Sequence, residues 1–332
     1  MKLSILDQSP IASGQTAQQA LNDSLLLAQE GDRLGYSRVW FTEHHDLPGL
    51  ACSAPEVLIS YIGAQTKNIR IGAGAVLLPH YKPYRVAETY NMLATLFPGR
   101  IDIGIGRAPG GSAEATMALS DNYLQNVYKM PDLVKELLYF LREKFPKDHL
   151  FENTSAAPIP KIPPVPWVLG TSEKSAKLAA ENGVSYAFGE FMSDNDGIKS
   201  LQYYRENFQA KGILNAPKTI LTVSALCAET EEQAKEIALS NTLWKIQSGF
   251  GERKMVPSIE EAREYAWNAK EKELKGKMDK KMIMGTPSKV KHQLLELQEK
   301  YQADEIMLIT ITHKLEDRLK SYRLIAKELL LK

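Results

Sequence analysis

The sequence predicts an α/β protein of the (β/α)8 class, a TIM barrel with insertions, formed as a single domain over residues 1–332. Short apolar runs rich in β-branched and aromatic residues alternate with stretches of helical periodicity, which is typical of parallel βαβ units. Eight such runs occur, the number that this barrel requires. Polar residues and glycines follow several of them, where such barrels place their sites. Closure of the barrel would also leave no strand edge exposed.

The predicted strands share the β-rich composition and are Leu3–Asp7, Arg38–Thr42, Ile69–Leu77, Ile101–Ile105, Val165–Gly170, Val184–Phe188, Thr219–Leu226 and Glu305–Thr310. The helical pattern between them is clearest in five segments, which are Thr16–Leu34, Pro55–Gln65, Val86–Leu96, Ser172–Asn182 and Val290–Tyr301. Gly35 and Gly183 follow two of these segments, and glycine commonly ends a helix.

Two insertions account for the length beyond the roughly 250 residues of a plain barrel. One covers about residues 121–164 and consists of a helical stretch followed by a loop rich in Pro and Ala. The other covers about residues 247–285 and shows no clear apolar face. The second insertion is either a solvated segment on the rim or a lid over the site, since long loops on a barrel often gate it.

The composition excludes several classes of function. Lys and Arg total 41 against 40 for Asp and Glu, and no basic block or acidic tail occurs, so we expect no binding to nucleic acid or to membranes. Cys52 and Cys227 are too far apart in the sequence for metal-ligand spacing. The start of the chain lacks the pattern of a signal peptide, and no run of about 20 apolar residues occurs. We therefore expect a cytoplasmic protein.

Glu43, His44 and His45 directly follow the second predicted strand. Histidine changes charge near neutral pH, so a carboxylate beside two imidazoles at a strand end indicates acid–base chemistry. A metal site is the weaker interpretation, because adjacent residues of an extended chain point to opposite sides. One structural and one solvent-facing histidine would be the plainest alternative. His80 lies in the loop after strand 3, where lining the pocket is one interpretation, but a loop histidine is usually exposed.

The fourth strand alternates with period two. Ile101, Ile103 and Ile105 should face the outer helices, while Asp102 and the two glycines that follow it should face inward. Inward glycines leave room for a flat ligand or for a close approach of backbone. The GxG at Gly104–Gly106 is not a dinucleotide fingerprint, because Pro109 stands where the third glycine should be.

A phosphate site is predicted at the ends of strands 4 and 5. Arg107 follows strand 4 and precedes a pair of glycines, and a guanidinium is well shaped for binding phosphate. Thr171 or Ser172 caps the helix that follows strand 5, and Ser175 lies one turn inside it. A helix start attracts anions through its free N–H groups. A surface arginine and a plain cap are the alternatives.

The segments Gly35–His45, Ile69–Pro79 and Pro98–Arg107 together resemble the bacterial luciferase-like family of flavin-dependent monooxygenases. The resemblance runs over nearly the whole chain. It implies a barrel that binds FMN at the carboxyl ends of its strands, with reduced FMN supplied by a separate flavin reductase. Reaction with O2 would give a flavin hydroperoxide that oxidises a small organic substrate.

The resemblance also implies roles for individual residues. His44 matches a histidine implicated in catalysis, His45 its neighbour, and Glu43 a carboxylate of the pocket wall. A non-prolyl cis peptide would fall at Gly74–Ala75, in the flavin-binding segment Ala73, Gly74 and Ala75. Arg107, Thr171, Ser172 and Ser175 match the residues that hold the phosphate. Thr171 replaces a Glu of luciferase, and Gly106 replaces a Cys, so we expect a relative that does not emit light.

The family forms dimers through the helices after strands 2 and 3, which here are Pro55–Gln65 and Val86–Leu96, and we expect a homodimer. Three other functions stay open at this point. A deazaflavin-dependent oxidoreductase or a non-catalytic flavin-binding protein could use the same barrel. A metal-dependent barrel hydrolase is the third.

Overall fold

The computed structural model describes residues 1–212, 214–252 and 254–331. The strands are β1 (Leu3–Asp7), β2 (Arg38–Phe41), β3 (Arg70–Leu77), β4 (Ile101–Gly106), β5 (Val165–Gly170), β6 (Ser185–Gly189), β7 (Thr219–Cys227), β8 (Ile283–Gly285) and β9 (Glu305–Ile309). The helices are α1 (Ala17–Leu34), α2 (Pro55–Gln65), α3 (Pro83–Leu96), α4 (Ala113–Leu119), α5 (Tyr123–Tyr128), α6 (Met130–Arg142), α7 (Glu173–Asn182), α8 (Gly197–Glu206), α9 (Glu231–Gly249), α10 (Ile259–Glu264), α11 (Ala269–Lys281), α12 (Pro287–Tyr301) and α13 (Leu315–Leu329).

Eight parallel strands close into a barrel. Strands β1 to β7 are neighbours in chain order, and β9 pairs with both β7 and β1 and so completes the ring. The prediction of a TIM barrel is confirmed, and each predicted strand agrees with the structure within one residue. The short strand β8, which the sequence did not predict, pairs with the end of β7 outside the ring.

Two apolar layers hold the barrel together. Ile101, Ile103 and Ile105 belong to the outer layer between strands and helices, as their alternation predicts. The inner layer contains Trp40 and Trp167. Their rings meet edge to face with centroids 5.4 Å apart, a favourable arrangement for an aromatic pair.

Buried ion pairs form the floor of the barrel at the amino ends of the strands. The Arg38 guanidinium lies 2.6 Å from Asp102 and 2.8 Å from Glu305. The indole N–H of Trp40 also donates to Asp102, at 3.0 Å. These carboxylates raise the pKa of Arg38. Asp102 therefore faces inward as predicted, but it serves the floor of the barrel and lies at the end opposite His44.

The second insertion divides into two parts with different surroundings. Val256 is fully buried among the inner-layer side chains, and it exchanges backbone hydrogen bonds of 2.8 Å with Ile11 and Ser13 of the loop after β1. Helix α11, in contrast, buries Glu271 alone. The insertion thus packs on the loop after β1 near Val256 and is solvated along α11, and its action as a lid stays a prediction.

In the described ranges, no helix combines the length and the apolar character needed to cross a membrane.

Candidate active site

The ends of β2 and β4 meet at the carboxyl end of the barrel. The backbone N–H of His44 donates to the carbonyl of Cys52, and that of His45 donates to the carbonyl of Gly110 in the loop after β4. Gly110 has a φ of +73°, a conformation that favours glycine. These bonds hold the histidine pair against the loop that carries Arg107.

Glu43 is a buried carboxylate with three hydrogen-bond partners. Its Oε2 accepts from the backbone N–H of Leu77 at 3.0 Å, and its Oε1 accepts from the Tyr81 hydroxyl at 2.7 Å. His45 Nε2 lies 2.9 Å from the same Oε1. Burial and the neighbouring Glu43 raise the pKa of Tyr81, so its hydroxyl keeps its proton. Glu43 therefore orients His45 and joins β2 to the loop after β3.

His44 differs from His45 in its surroundings. Its Nδ1 lies 2.9 Å from Thr42 Oγ1, and its Nε2 has no hydrogen-bond partner within the described ranges. Burial lowers the pKa of His44 to about 4, and Glu43 offsets this only in part. The imidazole is therefore neutral at neutral pH and presents one free ring nitrogen.

The structure gives no support to a metal site at the two histidines. They bond to different side chains, Thr42 for His44 and Glu43 for His45. Across the residues with described positions, no group of three or more His, Cys, Asp or Glu side chains is placed to hold a metal ion.

His80 is buried, and the expectation that it would be exposed is wrong. Its ring stacks on Tyr123 of α5 with centroids 4.7 Å apart, and its Nε2 lies 2.9 Å from the carbonyl oxygen of Pro109. The Tyr123 hydroxyl donates to the backbone carbonyl of Arg107 at 2.8 Å. The first insertion thus supports the loop after β4. No local motif marks Tyr123, because only the folded insertion brings it to His80.

Arg107 and the start of α7 leave the barrel side by side. Strand register pairs Ile105 with Val168, so Arg107 and Gly170 stand at matching positions two residues further on. Arg107 is exposed, and its guanidinium has no hydrogen-bond or ion-pair partner among the residues that the structure describes. Such a free cation beside a helix start is suited to binding a phosphate.

Ser172 caps α7, and Ser175 stabilises the turn. The backbone N–H of Ser172 donates to Ser175 Oγ at 3.3 Å, and that hydroxyl donates to the Ser172 carbonyl at 2.6 Å. Tyr186 OH lies 3.0 Å from the same Oγ. The Thr171 carbonyl accepts from the Asn195 amide at 2.7 Å. A Cβ on Gly170 would come within 2.2 Å of Ser175 Oγ, so this close turn requires glycine.

The peptide bond between Gly74 and Ala75 is cis, at the position implied by the resemblance. The pairing of β3 with β4 shifts between Ala73 and Val76, which places this segment in an irregular part of β3. A Cβ on Gly104 would lie 2.2 Å from the Ala73 carbonyl oxygen. The inward glycines could leave room for a flat ligand or allow backbone segments to approach closely. Gly104 allows the close approach of the β3 backbone.

A separate cavity of about 620 Å³ lies between α11, α12 and the turn after β6, where Glu190, Lys281 and Tyr301 line it. None of the predicted site residues lines this cavity. The free imidazole of His44 and the free guanidinium of Arg107 lie at the barrel mouth instead.

Comparison with known proteins decides the family. The model of the family described as "Luciferase-like monooxygenase" matches residues 1–302. The chain belongs to the luciferase-like monooxygenase family. An N-acetyl-S-alkylcysteine monooxygenase of Bacillus subtilis is 34% identical to it over 331 residues, covering 99% of this chain and 98% of that protein.

Two solved structures of luciferase-like or related proteins share the fold. The crystal structure of apo-MsnO8 has a TM-score of 0.87 and 31% identity, and the match covers 100% of this chain and 99% of that one. The oxygenating constituent of 3,6-diketocamphane monooxygenase from Pseudomonas putida, a type II Baeyer–Villiger enzyme in complex with FMN, has a TM-score of 0.73. Its identity is 20%, with 100% of this chain and 98% of that chain covered, so this likeness shows the fold alone. Membership of the luciferase-like family supports an oxidoreductase with a flavin-type cofactor.

Proposed function

We propose that the protein is a monooxygenase that uses reduced FMN and O2 to oxidise a small organic substrate at the mouth of the barrel. The observation that carries the proposal is that two groups without a bonding partner among the described residues lie at the same end of the barrel. These are His44 Nε2 after β2 and the Arg107 guanidinium after β4. The family supports the reaction class.

The residues at the mouth fit a phosphorylated flavin. Arg107 would bind the phosphate together with free backbone N–H groups in the first turn of α7. The helix is 10 residues long and capped at Ser172, so its start has a stable position. Thr171 and Ser175 would support this turn, Ser175 through the bonds that it makes to Ser172. The segment Ala73, Gly74 and Ala75 would border the ring.

Bound reduced FMN would supply the two electrons that activate O2, so that one oxygen atom enters the substrate and the other leaves as water. His44 would act through its free Nε2, which as a neutral group can donate or accept one hydrogen bond at the reacting edge. Its lowered pKa makes it a poor reservoir of protons at neutral pH. Glu43 and His45 would position His44 and the loop after β3.

The cofactor would arrive from a separate flavin reductase. A relative from Acinetobacter baylyi, 26% identical over 245 residues, is described as the oxygenase component of a flavin-dependent trigonelline monooxygenase, which supports a two-component arrangement for this chain as well. The N-acetyl-S-alkylcysteine monooxygenase supports a small organic substrate.

The test uses anaerobic protein loaded with reduced FMN and then mixed with O2. We expect an absorbing species, distinct from both reduced and oxidised FMN, that outlives the reaction of free reduced FMN. The variant His44→Gln should shorten its lifetime while FMN affinity stays the same. Immediate conversion to oxidised FMN at the rate of the free flavin would contradict a monooxygenase. Tighter binding of a deazaflavin than of FMN would favour the hydride-transfer alternative.

We also propose a homodimer through α2 and α3. Val57 and Tyr61 lie one turn apart on α2 and are 66% and 46% exposed, and Met92 and Leu96 lie one turn apart on α3 and are 57% and 58% exposed. Two such apolar stripes on adjacent helices are typical of an association surface. Sedimentation should show twice the chain mass, and Val57→Glu together with Met92→Glu should give the monomer. A wild-type species of 37.1 kDa would exclude the dimer.

A further inference from the structure

Lys245 places an ammonium group at the mouth of the barrel. The preceding residue, Trp244, packs with the inner apolar layer. The Lys245 Nζ lies 5.7 Å from the centroid of the Phe191 ring, and Phe191 packs against the same layer from the turn after β6. Lys245 therefore stands above the ends of β6 and β7 with an apolar surface beside it.

This ammonium lacks an anionic partner. Over residues 1–212, 214–252 and 254–331, no carboxylate lies within ion-pair distance of its Nζ, and no protein atom accepts a hydrogen bond from it. Lysines on nearby helices are paired, as Lys275 is with Asp279 at 2.6 Å and Lys289 is with Glu231 at 3.0 Å. A partly buried cation without a partner is unfavourable, so its position calls for an anion.

The charges around Lys245 add to this need. Burial and the nearby ammonium of Lys281 lower the pKa of Lys245 to about 8, so it still carries its proton at neutral pH. One turn earlier on α9, the buried Thr242 Oγ1 and Asn241 Oδ1 have no hydrogen-bond partner within the described part of the chain. Among the described residues, this stretch of α9 therefore combines a free cation with buried polar atoms that have no hydrogen-bond partner.

We propose that Lys245 binds an anionic group of the organic substrate, a carboxylate in the simplest case, while Phe191 contacts the apolar part of the same molecule. This inference rests on the proposed function, because the substrate is the molecule that enters the mouth beside the flavin. The FMN phosphate has its own cation in Arg107, which follows β4, whereas Lys245 follows β7 on a different part of the rim. The protein would accordingly prefer acids to neutral compounds of the same shape.

The test compares benzoate with benzamide, which match in size and differ in charge. Binding is followed by tryptophan fluorescence in the FMN-free protein, where Trp244 adjoins the site, and by flavin absorbance in the FMN-loaded protein. We expect benzoate to bind at least tenfold more tightly than benzamide. Lys245→Met should remove the preference and Lys245→Arg should keep it. A wild type without the preference, or a Lys245→Met variant that retains it, would overturn the proposal.

Three controls distinguish a substrate-binding Lys245 from a phosphate-binding one and from a general effect of positive charge. Lys270, which lies 5.0 Å from the ring centroid of Phe250 but is exposed, gives a matched variant, and Lys270→Met should leave the preference unchanged. We expect Lys245→Met to bind FMN with unchanged affinity. A loss of affinity for FMN but not for riboflavin would show that Lys245 binds the phosphate, and it would overturn the proposal. Failure to bind any flavin would refute the proposed function, while the measurement on FMN-free protein would still test Lys245.

Thermal unfolding gives an independent check of the unpaired charge. Because Lys245→Met removes a partly buried cation without a partner, we expect the Tm of the free protein to rise. A lower Tm for Lys245→Met than for Lys270→Met would show that the chain itself satisfies the ammonium, and the proposal would then be wrong.

Discussion

The Tyr81 hydroxyl donates a 2.7 Å hydrogen bond to the Oε1 of Glu43, and it does so from the turn after β3 to the end of β2. The carboxylate that adjoins the two histidines is thereby tied to a neighbouring strand. Glu43 thus fixes the position of neighbouring segments at the mouth of the barrel, while His44 keeps a ring nitrogen available to a ligand.

The first prediction concerns this bond. Tyr81→Phe removes one donor from a buried carboxylate, and we expect the free energy of unfolding to fall by about 1.5–3 kcal/mol, the usual range for a bond to a charged group. Urea denaturation measures the change. Tyr84→Phe is the control, because the Tyr84 hydroxyl lies at the surface, where it makes a long 3.4 Å bond to the Ser155 carbonyl and a contact with Glu88, and its cost should stay within about 0.5 kcal/mol. Equal losses for the two variants would contradict the role of Glu43.

The second prediction follows from the lowered pKa of His44, about 4 in the folded protein against a usual value of 6.5. As pH falls below 6.5 the unfolded chain takes up a proton at this position before the folded protein does. His44 therefore contributes stability above pH 6.5, and this contribution is lost as pH falls towards 4. Between pH 4 and 7, the free energy of unfolding should rise by roughly 2 kcal/mol more in the wild type than in His44→Gln. This figure allows for the partial exposure of the ring.

Urea denaturation at a series of pH values measures this difference. The control is His292→Gln on the surface of α12, which should follow the wild-type profile. A wild type and His44→Gln with parallel profiles would show that His44 is not held in its neutral form.

The third prediction concerns the phosphate. Arg107→Met should weaken FMN binding by about 10- to 100-fold, because one charge-assisted contact contributes about 1.5–3 kcal/mol. Riboflavin lacks the phosphate, so its affinity should be the same in both proteins. Equilibrium titration with the two flavins measures this. If Arg107→Met reduced the affinity for both flavins equally, the arginine would act on the fold of the mouth and not on the phosphate.

The fourth prediction concerns the close approach of β3 to β4. In Gly104→Ala the new Cβ would lie 2.2 Å from the Ala73 carbonyl oxygen, so the strands must move apart. We expect a loss of about 3 kcal/mol or more in the free energy of unfolding, together with weaker flavin binding. Gly276→Ala on α11 meets nothing within 4 Å and should stabilise the protein by about 0.5–1 kcal/mol. A Gly104→Ala protein with wild-type stability would show that this contact is not needed.

Local sequence was enough to predict the barrel and the ends of its strands. Alternation placed Ile101, Ile103 and Ile105 correctly, because burial on one face of a strand imposes a period of two. The helix start at Ser172 followed from its capping chemistry. Strand β8 was missed, because its three residues are too short to show a period.

The properties that depend on distant contacts were not predictable in this way. The neutral state of His44 results from burial by the folded mouth, and two of the three partners of Glu43 come from another strand and its turn. His80 is covered in part by Tyr123 of the first insertion, which stacks on it from a distant part of the sequence. Lys245 has the sequence context of an ordinary helical lysine, and only the packing of Trp244 and Phe191 shows where it lies.

The two backbone hydrogen bonds of Val256, to Ile11 and to Ser13, join segments from opposite parts of the sequence. A ribosome releases the loop after β1 long before it makes Val256. The nascent protein can therefore assemble its early strands while the top of the ring is still uncovered. The cover that Val256 forms near the mouth can therefore close only after synthesis has passed β7.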